Sequence, residues 1–238
     1  MCTDDRTQRM LRAVIFDLDN TLTDFMRMKE VSIEAAITDM IDAGLPMSPE
    51  EAKRKLFDIY DREGIEDQRV FDRFLEEELG EIDPMIHTAG IIGYRRGREY
   101  TLVLYPHVKK TLLALAKRGL KLAVLSDAPR YQAWSRLCYL QLQHFFDHVI
   151  TFEDTRVRKP DPAPFLRAIE LLDMSPDEVI MVGDWPERDM AGGKGVGIKT
   201  VYARYGDTSG ATTSGADYEI SDISELVDIV DRLTDEGA

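Results

Sequence analysis

The sequence predicts an α/β protein in which a doubly wound parallel sheet carries a compact helical insert after its first strand. An apolar run, Ala13-Val14-Ile15-Phe16, has the composition of a buried strand and stands alone near the N-terminus. From residue 105 onward, runs of strand length alternate with stretches of helical periodicity, as in parallel sheets covered by helices. Between these regions, apolar residues recur at helical spacing and show no strand alternation over residues 24–98.

The insert is predicted to contain several helices, each bounded by recognisable start or stop residues. An apolar stripe of the first helix is predicted at Val31, Ala35 and residues 37–40. Serine or aspartate followed by proline marks a helix start, and glycine marks a helix end. The predicted boundaries are Gly44-Leu45-Pro46, Ser48-Pro49, Gly80, Asp83-Pro84 and a last helix end near Arg98.

The α/β region supplies the other predicted elements. Strands are predicted over residues 120–125, 149–151, 179–182, 199–201 and 218–220, and helices over residues 108–116, 130–142, 161–172, 188–193 and 223–233. Residues 206–215 are rich in glycine, serine and threonine and form the predicted mobile loop. The predicted domains are therefore a core of residues 1–23 and 100–238 and a helical insert of residues 24–99.

Composition limits the classes of partner. The net charge of −14 over 238 residues opposes binding to nucleic acid or to an anionic membrane, so neither is a predicted partner. No apolar run reaches membrane-spanning length, and the polar N-terminus does not resemble a signal peptide. The two cysteines, Cys2 and Cys138, are predicted to be free thiols, which indicates a cytoplasmic location. The expected assembly is a monomer or a homodimer.

Two carboxylates, Asp17 and Asp19, directly follow the first strand in the segment Asp17-Leu18-Asp19-Asn20-Thr21. Burying carboxylates without a partner is costly, so two of them at a strand end suggest a shared counter-ion. A hard divalent cation such as Mg²⁺ takes oxygen ligands of this kind. The alternative is an Asx-type turn, in which aspartate and asparagine only make local hydrogen bonds to the backbone.

Further polar residues are predicted to converge on the same edge of the sheet. Ser126 and Asp127 follow the second strand, Lys159 lies in the loop after the third, and Asp184 follows the fourth. Because the carboxyl ends of parallel strands share one edge, these residues are expected to lie close together. Carboxylates suit a metal, whereas a hydroxyl, an ammonium and the helix N-terminus after Ser126 suit a phosphate. The sequence therefore predicts a phosphoryl-transfer site.

Four motifs carry this set of residues in order: Asp17-Leu18-Asp19-Asn20-Thr21, Ser126, Lys159-Pro160 and Gly183-Asp184-Trp185-Pro186-Glu187-Arg188-Asp189. The chain resembles the haloacid dehalogenase superfamily, in the branch with a helical cap inserted after the first motif. The resemblance implies a Rossmann-like core, with the insert as the cap. Two positions depart from the commonest family pattern, since Asn20 stands where glycine is frequent and Trp185 where a small residue is common.

The resemblance implies catalytic and metal-binding roles for three aspartates. Asp17 would be the nucleophile and would carry a phospho-aspartyl intermediate. Asp19 would be the general acid that protonates the leaving oxygen and then the base that activates water. Mg²⁺ would be bound by the carboxylates of Asp17 and Asp184 and by the main-chain carbonyl of Asp19.

The resemblance also implies how the phosphate is held. Ser126, Asp127 and the N–H groups near them would bind phosphate oxygens, and Lys159 would neutralise the intermediate. Asp189 would support the metal ligands or hold Lys159.

The predicted function is a Mg²⁺-dependent phosphatase that acts on a small phosphorylated metabolite of the sugar or triose phosphate type. Three alternatives remain at this point: a phosphosugar mutase, a 2-haloacid dehalogenase, and a non-catalytic binding protein on the same fold. The intact acidic set argues against the last two. No motif separates the mutase from the phosphatase, because one fold hosts both chemistries.

Three arginines near the end of the insert, Arg95, Arg96 and Arg98, are candidate determinants of substrate specificity. Guanidinium groups bind carboxylate and phosphate through paired hydrogen bonds, which suits an acidic or doubly phosphorylated substrate. The alternative is a solvated end of a helix, where cations also complement the helix dipole.

Overall fold

The computed structural model describes residues 10–208 and 210–235, so Cys2 lies outside the described part of the chain, whereas Cys138 is free and exposed. The chain divides into two compact units, with boundaries after Asp24 and after Val103. The helical stretch continues to Thr101, so it extends beyond the end near Arg98 that the sequence predicts. Within the described residues, no helix combines the length and the apolar character needed to cross a bilayer.

The core unit is built on a six-stranded sheet in which every neighbouring pair of strands is parallel. The strands are β1 (Ala13–Phe16), β2 (Lys121–Leu125), β3 (His148–Ile150), β4 (Val179–Gly183), β5 (Lys199–Ala203) and β6 (Tyr218–Ile220). Their order is β3-β2-β1-β4-β5-β6, so the fully buried β1 lies between β2 and β4. This arrangement confirms the predicted α/β fold, and it puts the ends of β1, β2 and β4 side by side.

Ten α-helices accompany the sheet within the described residues. The insert contains α1 (Phe25–Asp42), α2 (Pro49–Glu63), α3 (Val70–Leu79) and α4 (Pro84–Thr101). The core unit contains α5 (Val108–Lys117), α6 (Arg130–Tyr139), α7 (Phe152–Thr155), α8 (Pro162–Leu172), α9 (Ala191–Gly195) and α10 (Leu226–Asp235). The helix predicted over residues 188–193 was wrong in detail, because a π-helical turn, Pro186–Met190, precedes α9.

The capping residues that mark the insert's helices act as the sequence predicts. The Ser48 side chain accepts a hydrogen bond from the N–H of Glu51 at 3.2 Å. The Asp83 side chain accepts from the N–H of Met85 at 2.8 Å and from that of Ile86 at 3.0 Å. Each such cap stabilises its helix by about 1 kcal/mol.

The buried face of α1 differs from the predicted stripe. Val31 and Ala35 are only half-buried, whereas Ile33, Ala36 and Met40 are fully buried. Positions three, four and seven residues apart lie on one face of a helix, and the sequence Ile33, Ala36, Ile37, Met40 has this spacing. The predicted stripe was therefore right for Ile37 and Met40, whereas Val31 and Ala35 lie about half a turn from the centre of the buried face.

Glycines allow α1 and α4 to approach closely inside the insert. A Cβ atom on Gly93 would lie 2.5 Å from the carbonyl oxygen of Ala35, and one on Gly97 would lie 2.8 Å from the Cα of Ser32. Neither neighbour is a flexible side-chain end, so the backbones themselves would have to separate.

We expect Gly93→Ala to lower the unfolding midpoint of the protein. Overpacking of this kind costs about 1–3 kcal/mol, against a gain of about 1 kcal/mol in helix propensity. Gly195→Ala is the matched control, because no atom lies within 4 Å of the added methyl group. Urea unfolding followed by circular dichroism measures the midpoint of both variants. Equal midpoints for Gly93→Ala and Gly195→Ala would show that α1 and α4 separate without loss of stability.

Candidate active site

The turn after β1 presents its carboxylates at the edge of the sheet. The N–H of Asp17 donates to the carbonyl of Val182 at 2.8 Å, which extends the pairing of β1 with β4 by one residue. Asn20 then adopts a left-handed conformation with φ of 57°, which asparagine tolerates better than most residues. The turn closes with the N–H of Leu22 donating to the carbonyl of Leu18 at 3.0 Å.

A neighbouring loop holds this turn from outside. The Tyr205 hydroxyl donates to the carbonyl of Thr21 at 2.8 Å. Gly206 lies so close that a Cβ atom there would be 1.6 Å from the carbonyl oxygen of Asn20, so only glycine fits. Sequence reasoning missed both contacts, because it assigned Gly206 to a mobile loop and gave no role to Tyr205.

Lys159 occupies the centre of the site. Its ammonium donates to Asp17 Oδ1 and to Asp189 Oδ1, both at 2.6 Å, and to the carbonyl of Leu125 at 3.1 Å. The side chain is 3% exposed, and the main-chain N–H of Lys159 donates to Asp127 Oδ1 at 3.0 Å. Both ends of this lysine are thus fixed by groups from different strands.

Three buried carboxylates surround this ammonium. Asp17, Asp184 and Asp189 each offer an oxygen, and these oxygens lie within 4.8 Å of one another. The π-helical turn holds Asp189, whose Oδ2 accepts from the N–H of Trp185 at 3.1 Å. Asp184 Oδ1 accepts from the Thr21 hydroxyl at 3.2 Å. The geometry is that of a small cage of oxygen atoms.

The electrostatics of the cage favour a divalent cation. Burial, opposed by the Lys159 ammonium and supported by the Asp189 carboxylate, raises the pKa of Asp17 to about 7. Burial, followed by the charges of Asp17 and Asp189, likewise holds the pKa of Asp184 well above its ordinary value. Burial alone would lower the pKa of Lys159, but the surrounding carboxylates raise it above its ordinary value.

The charges of the cage therefore do not balance. When all three carboxylates are ionised, they and one ammonium carry a net charge of −2 in a buried space. Carboxylate oxygens are the ligands that hard divalent cations take, and such a cation would cancel this surplus. The residues present fit a divalent metal ion.

The predicted phosphate-binding residues lie beyond the end of β2. The Ser126 hydroxyl accepts from the N–H of Ala128 at 3.1 Å, which leaves its own hydrogen for an anion. The Asp127 carboxylate accepts from the main-chain N–H of Lys159 and from Arg188 Nη1 at 3.4 Å, so it contacts both of these residues. One predicted phosphate donor is already bound within the protein: the first N–H of α6, at Arg130, donates to the Glu153 carboxylate, at Oε2, at 2.7 Å.

Asp19 has a partner that sequence reasoning missed. Arg136, on α6, donates from Nη1 to Asp19 Oδ2 at 2.9 Å. The Arg136 side chain is 7% exposed and lies on the face of α6 that also buries Ala133 and Leu137. A charged residue within an apolar helical stripe was the signal that could have identified it.

The π-helical turn also carries a surface pair that the sequence did not reveal. The Arg188 guanidinium stacks on the Trp185 ring with 3.9 Å between its carbon and the ring centroid. Trp185 remains 39% exposed. The large residue at this unusual position thus packs against Arg188.

The candidate arginines of the insert differ in environment. Arg96 donates from Nη2 to both oxygens of Asp39 at 2.7 Å, so its guanidinium is already bound within the insert. Arg95 is exposed and Arg98 is half-buried. Arg96 therefore matches the alternative of a solvated helix surface.

Comparison with known proteins identifies relatives over most of the chain. The family model described as haloacid dehalogenase-like hydrolase matches residues 14–203. A glyceraldehyde 3-phosphate phosphatase from Methanocaldococcus jannaschii is 36% identical over 94% of this chain and 99% of its own length. Another from Pyrococcus furiosus is 33% identical over 94% of this chain and 95% of its own length.

A solved structure extends the likeness to three dimensions. The crystal structure of a HAD phosphatase from Thermococcus onnurineus has a TM-score of 0.70 and 27% identity, covering 92% of this chain and 98% of that protein. The order of motifs, the site at the end of β1 and these matches lead to one conclusion. The chain belongs to the family of haloacid dehalogenase-like hydrolases.

Proposed function

We propose that this family member is a phosphatase that hydrolyses a small phosphorylated metabolite of the triose phosphate type, with Mg²⁺ as its cofactor. The observation that carries the proposal is the Lys159 ammonium held between Asp17 and Asp189 beside Asp184. Such a set can bind and neutralise a phosphoryl group at a carboxylate nucleophile. Two relatives named as glyceraldehyde 3-phosphate phosphatases support the substrate class.

In the first step, a carboxylate oxygen of Asp17 attacks the phosphorus atom of the ester. A bond forms between Asp17 and phosphorus while the bond from phosphorus to the ester oxygen breaks. Asp19 gives its proton to that departing oxygen, which leaves as an alcohol. The Ser126 hydroxyl donates to an oxygen of the transferring group. The positive charge of the Lys159 ammonium, which is held by Asp17, Asp189 and Leu125, stabilises the negative charge of that group.

In the second step, Asp19 takes a proton from a water molecule, whose oxygen attacks phosphorus. The bond between phosphorus and Asp17 breaks, inorganic phosphate forms, and the Asp17 carboxylate is restored. Asp19 thereby ends the cycle protonated and ready for the next substrate.

The metal would be bound by the carboxylates of Asp17 and Asp184 and by the main-chain carbonyl of Asp19. When bound, Mg²⁺ supplies positive charge that aligns the phosphate and offsets the charge of the site. Asp189 is held by Lys159 and by the N–H of Trp185, so it would fix the position of the lysine beside the metal ligands.

The remaining parts of the proposal concern the insert and the setting of the enzyme. We propose that the insert acts as the cap, and that Arg95 and Arg98 are its better candidates for substrate specificity because Arg96 is bound to Asp39.

An exposed free thiol at Cys138 supports a reducing, cytoplasmic compartment. The working assembly is a monomer or a homodimer.

The function is tested by measuring phosphate release from a panel of phosphorylated metabolites, with and without Mg²⁺. We expect release from glyceraldehyde 3-phosphate in Mg²⁺ and none in chelator. Hexose phosphates and 2-haloacids belong in the panel, because conversion of one hexose phosphate into another would indicate a mutase. Halide release in chelator would indicate a dehalogenase, and either result would replace the phosphatase proposal.

We expect Mg²⁺ to raise the unfolding temperature more at about pH 8 than at about pH 5.5. The pKa of Asp17 is raised from 3.8, its ordinary value, to about 7 in the metal-free folded chain. The bound proton therefore contributes stability that is fully present at pH values below the pKa of the unfolded chain. This contribution is lost as the pH rises through about 7. At the higher pH Asp17 is ionised, so the cage carries more negative charge and a cation has more charge to compensate.

Thermal unfolding at both pH values, with Mg²⁺ or with chelator, measures this difference. Asp17→Asn is the control, because removal of the titrating group should make the metal effect smaller and less dependent on pH. An equal or larger shift at the lower pH in the wild-type chain would contradict the electrostatic account of the cage.

A further inference from the structure

We propose that Arg136 is a positioning residue that holds the Asp19 carboxylate in place for proton transfer to the leaving oxygen. The inference rests on the proposed function, in which Asp19 is the acid and base, and adds a residue outside the four sequence motifs. Its basis is the bond from Arg136 Nη1 to Asp19 Oδ2 at 2.9 Å, made by a guanidinium that is almost fully buried.

The position of Arg136 in the core unit makes this contact costly. A buried guanidinium loses its hydration, and apolar residues of similar volume often stabilise a fold at least as well as a buried ion pair. Arg136 lies between the buried residues Ala133 and Leu137 on α6, where an apolar side chain would continue the stripe. Stability alone therefore gives a weak reason for an arginine at this position.

The contact has a direct consequence for the chemistry. Asp19 lies in the turn after β1, two residues beyond the nucleophile, and it is less buried than Asp17. A carboxylate on a turn can rotate about its side-chain torsions, but one anchored through an oxygen keeps its plane while the other oxygen exchanges a proton. α6 thus fixes the proton donor relative to Asp17.

Substrates with different leaving groups can distinguish a positioning role of Arg136 from a purely structural one. An alkyl phosphate such as glyceraldehyde 3-phosphate expels a poor leaving group that needs the proton from Asp19. The aryl ester p-nitrophenyl phosphate expels a stable phenolate that hardly needs one. A value of kcat/KM reports formation of the phospho-aspartyl intermediate, which is the step in which the leaving group departs.

We expect Arg136→Gln to lower kcat/KM for the alkyl ester about 10-fold more, or further, than it lowers kcat/KM for the aryl ester. The extra loss should not exceed the roughly 10²- to 10⁴-fold contribution of a general acid. Asp19→Asn should show the same selective loss. The double variant should lose little more than Asp19→Asn alone, because both changes remove one function.

Two further variants control the experiment. Arg118→Gln removes another arginine of the core unit, which is paired with Asp231 at 2.6 Å on the surface, and should leave both substrates unaffected. Arg136→Lys keeps the cation and should recover part of the activity on the alkyl ester. It also provides a second measurement if Arg136→Gln fails to fold by circular dichroism.

The outcomes separate the two proposals. If Asp19→Asn lowers both esters equally, the acid role in the proposed function fails. If Asp19→Asn is selective but Arg136→Gln and Arg136→Lys lower both esters by one common factor, the acid role stands and Arg136 is only a structural residue.

Discussion

Asp17→Asn should abolish phosphate release, with a loss on the order of 10⁴-fold or more. An amide has no carboxylate oxygen to attack phosphorus, yet its volume is almost the same, so the surrounding residues need not move. The stability of the folded state should not decrease. Since burial raises the pKa of Asp17 to about 7, an ionised carboxylate at this position destabilises the metal-free chain at alkaline pH. The neutral amide removes that cost.

The unfolding temperature of Asp17→Asn in chelator at about pH 8 should therefore equal or exceed that of the wild-type chain. Asp173→Asn is the matched control, because this exposed aspartate has φ of 57° and asparagine adopts that conformation readily. It should change neither activity nor stability. Turnover retained by a verified Asp17→Asn preparation would exclude a phospho-aspartyl mechanism.

The site could be predicted as far as strand order determines it. The apolar run before Asp17 identified the first strand, and the polar residues after later strands identified the shared edge. Residues that directly follow a buried strand have little freedom, so Asp17, Ser126 and Asp184 lie where the pattern implied. Lys159 lies in a loop, but a lysine brought among carboxylates has a strong electrostatic reason to reach them.

Other parts of the site depend on tertiary packing that no local pattern encodes. The direction in which α6 faces decides that Arg136 reaches Asp19. The start of the same helix could have bound a phosphate, but the Glu153 carboxylate from α7 already accepts the N–H of Arg130. The π-helical turn arises where Pro186 and the fixed position of Asp189 constrain the chain between them. The contacts of Arg136 and of Arg130 join residues that are far apart in the sequence.

Lys159→Met should have the second large effect, on both stability and activity. Methionine keeps most of the side-chain length but removes the ammonium that donates to Asp17 and Asp189. Removal of one partner from a buried ion pair typically costs about 3–5 kcal/mol, because the remaining charge loses its compensation. Loss of a preorganised cation at the transferring phosphoryl group should also lower kcat about 10²- to 10³-fold.

The destabilisation should depend on metal and pH in a specific way. Mg²⁺ should restore part of the lost unfolding free energy, because it supplies positive charge to the same carboxylates. A lower pH should do the same, because Asp17, whose pKa is already raised to about 7, then takes up a proton. Chemical unfolding in chelator and in Mg²⁺, at two pH values, measures both effects.

Lys194→Met is the control for Lys159→Met. Its ammonium also contacts an aspartate, Asp217, at 3.2 Å, but its side chain is 43% exposed to solvent. Water replaces such a partner readily, so the loss should stay within about 1 kcal/mol and should not respond to Mg²⁺. If the two lysine variants were equally stable in chelator, the Lys159 ammonium would not be compensating the carboxylates.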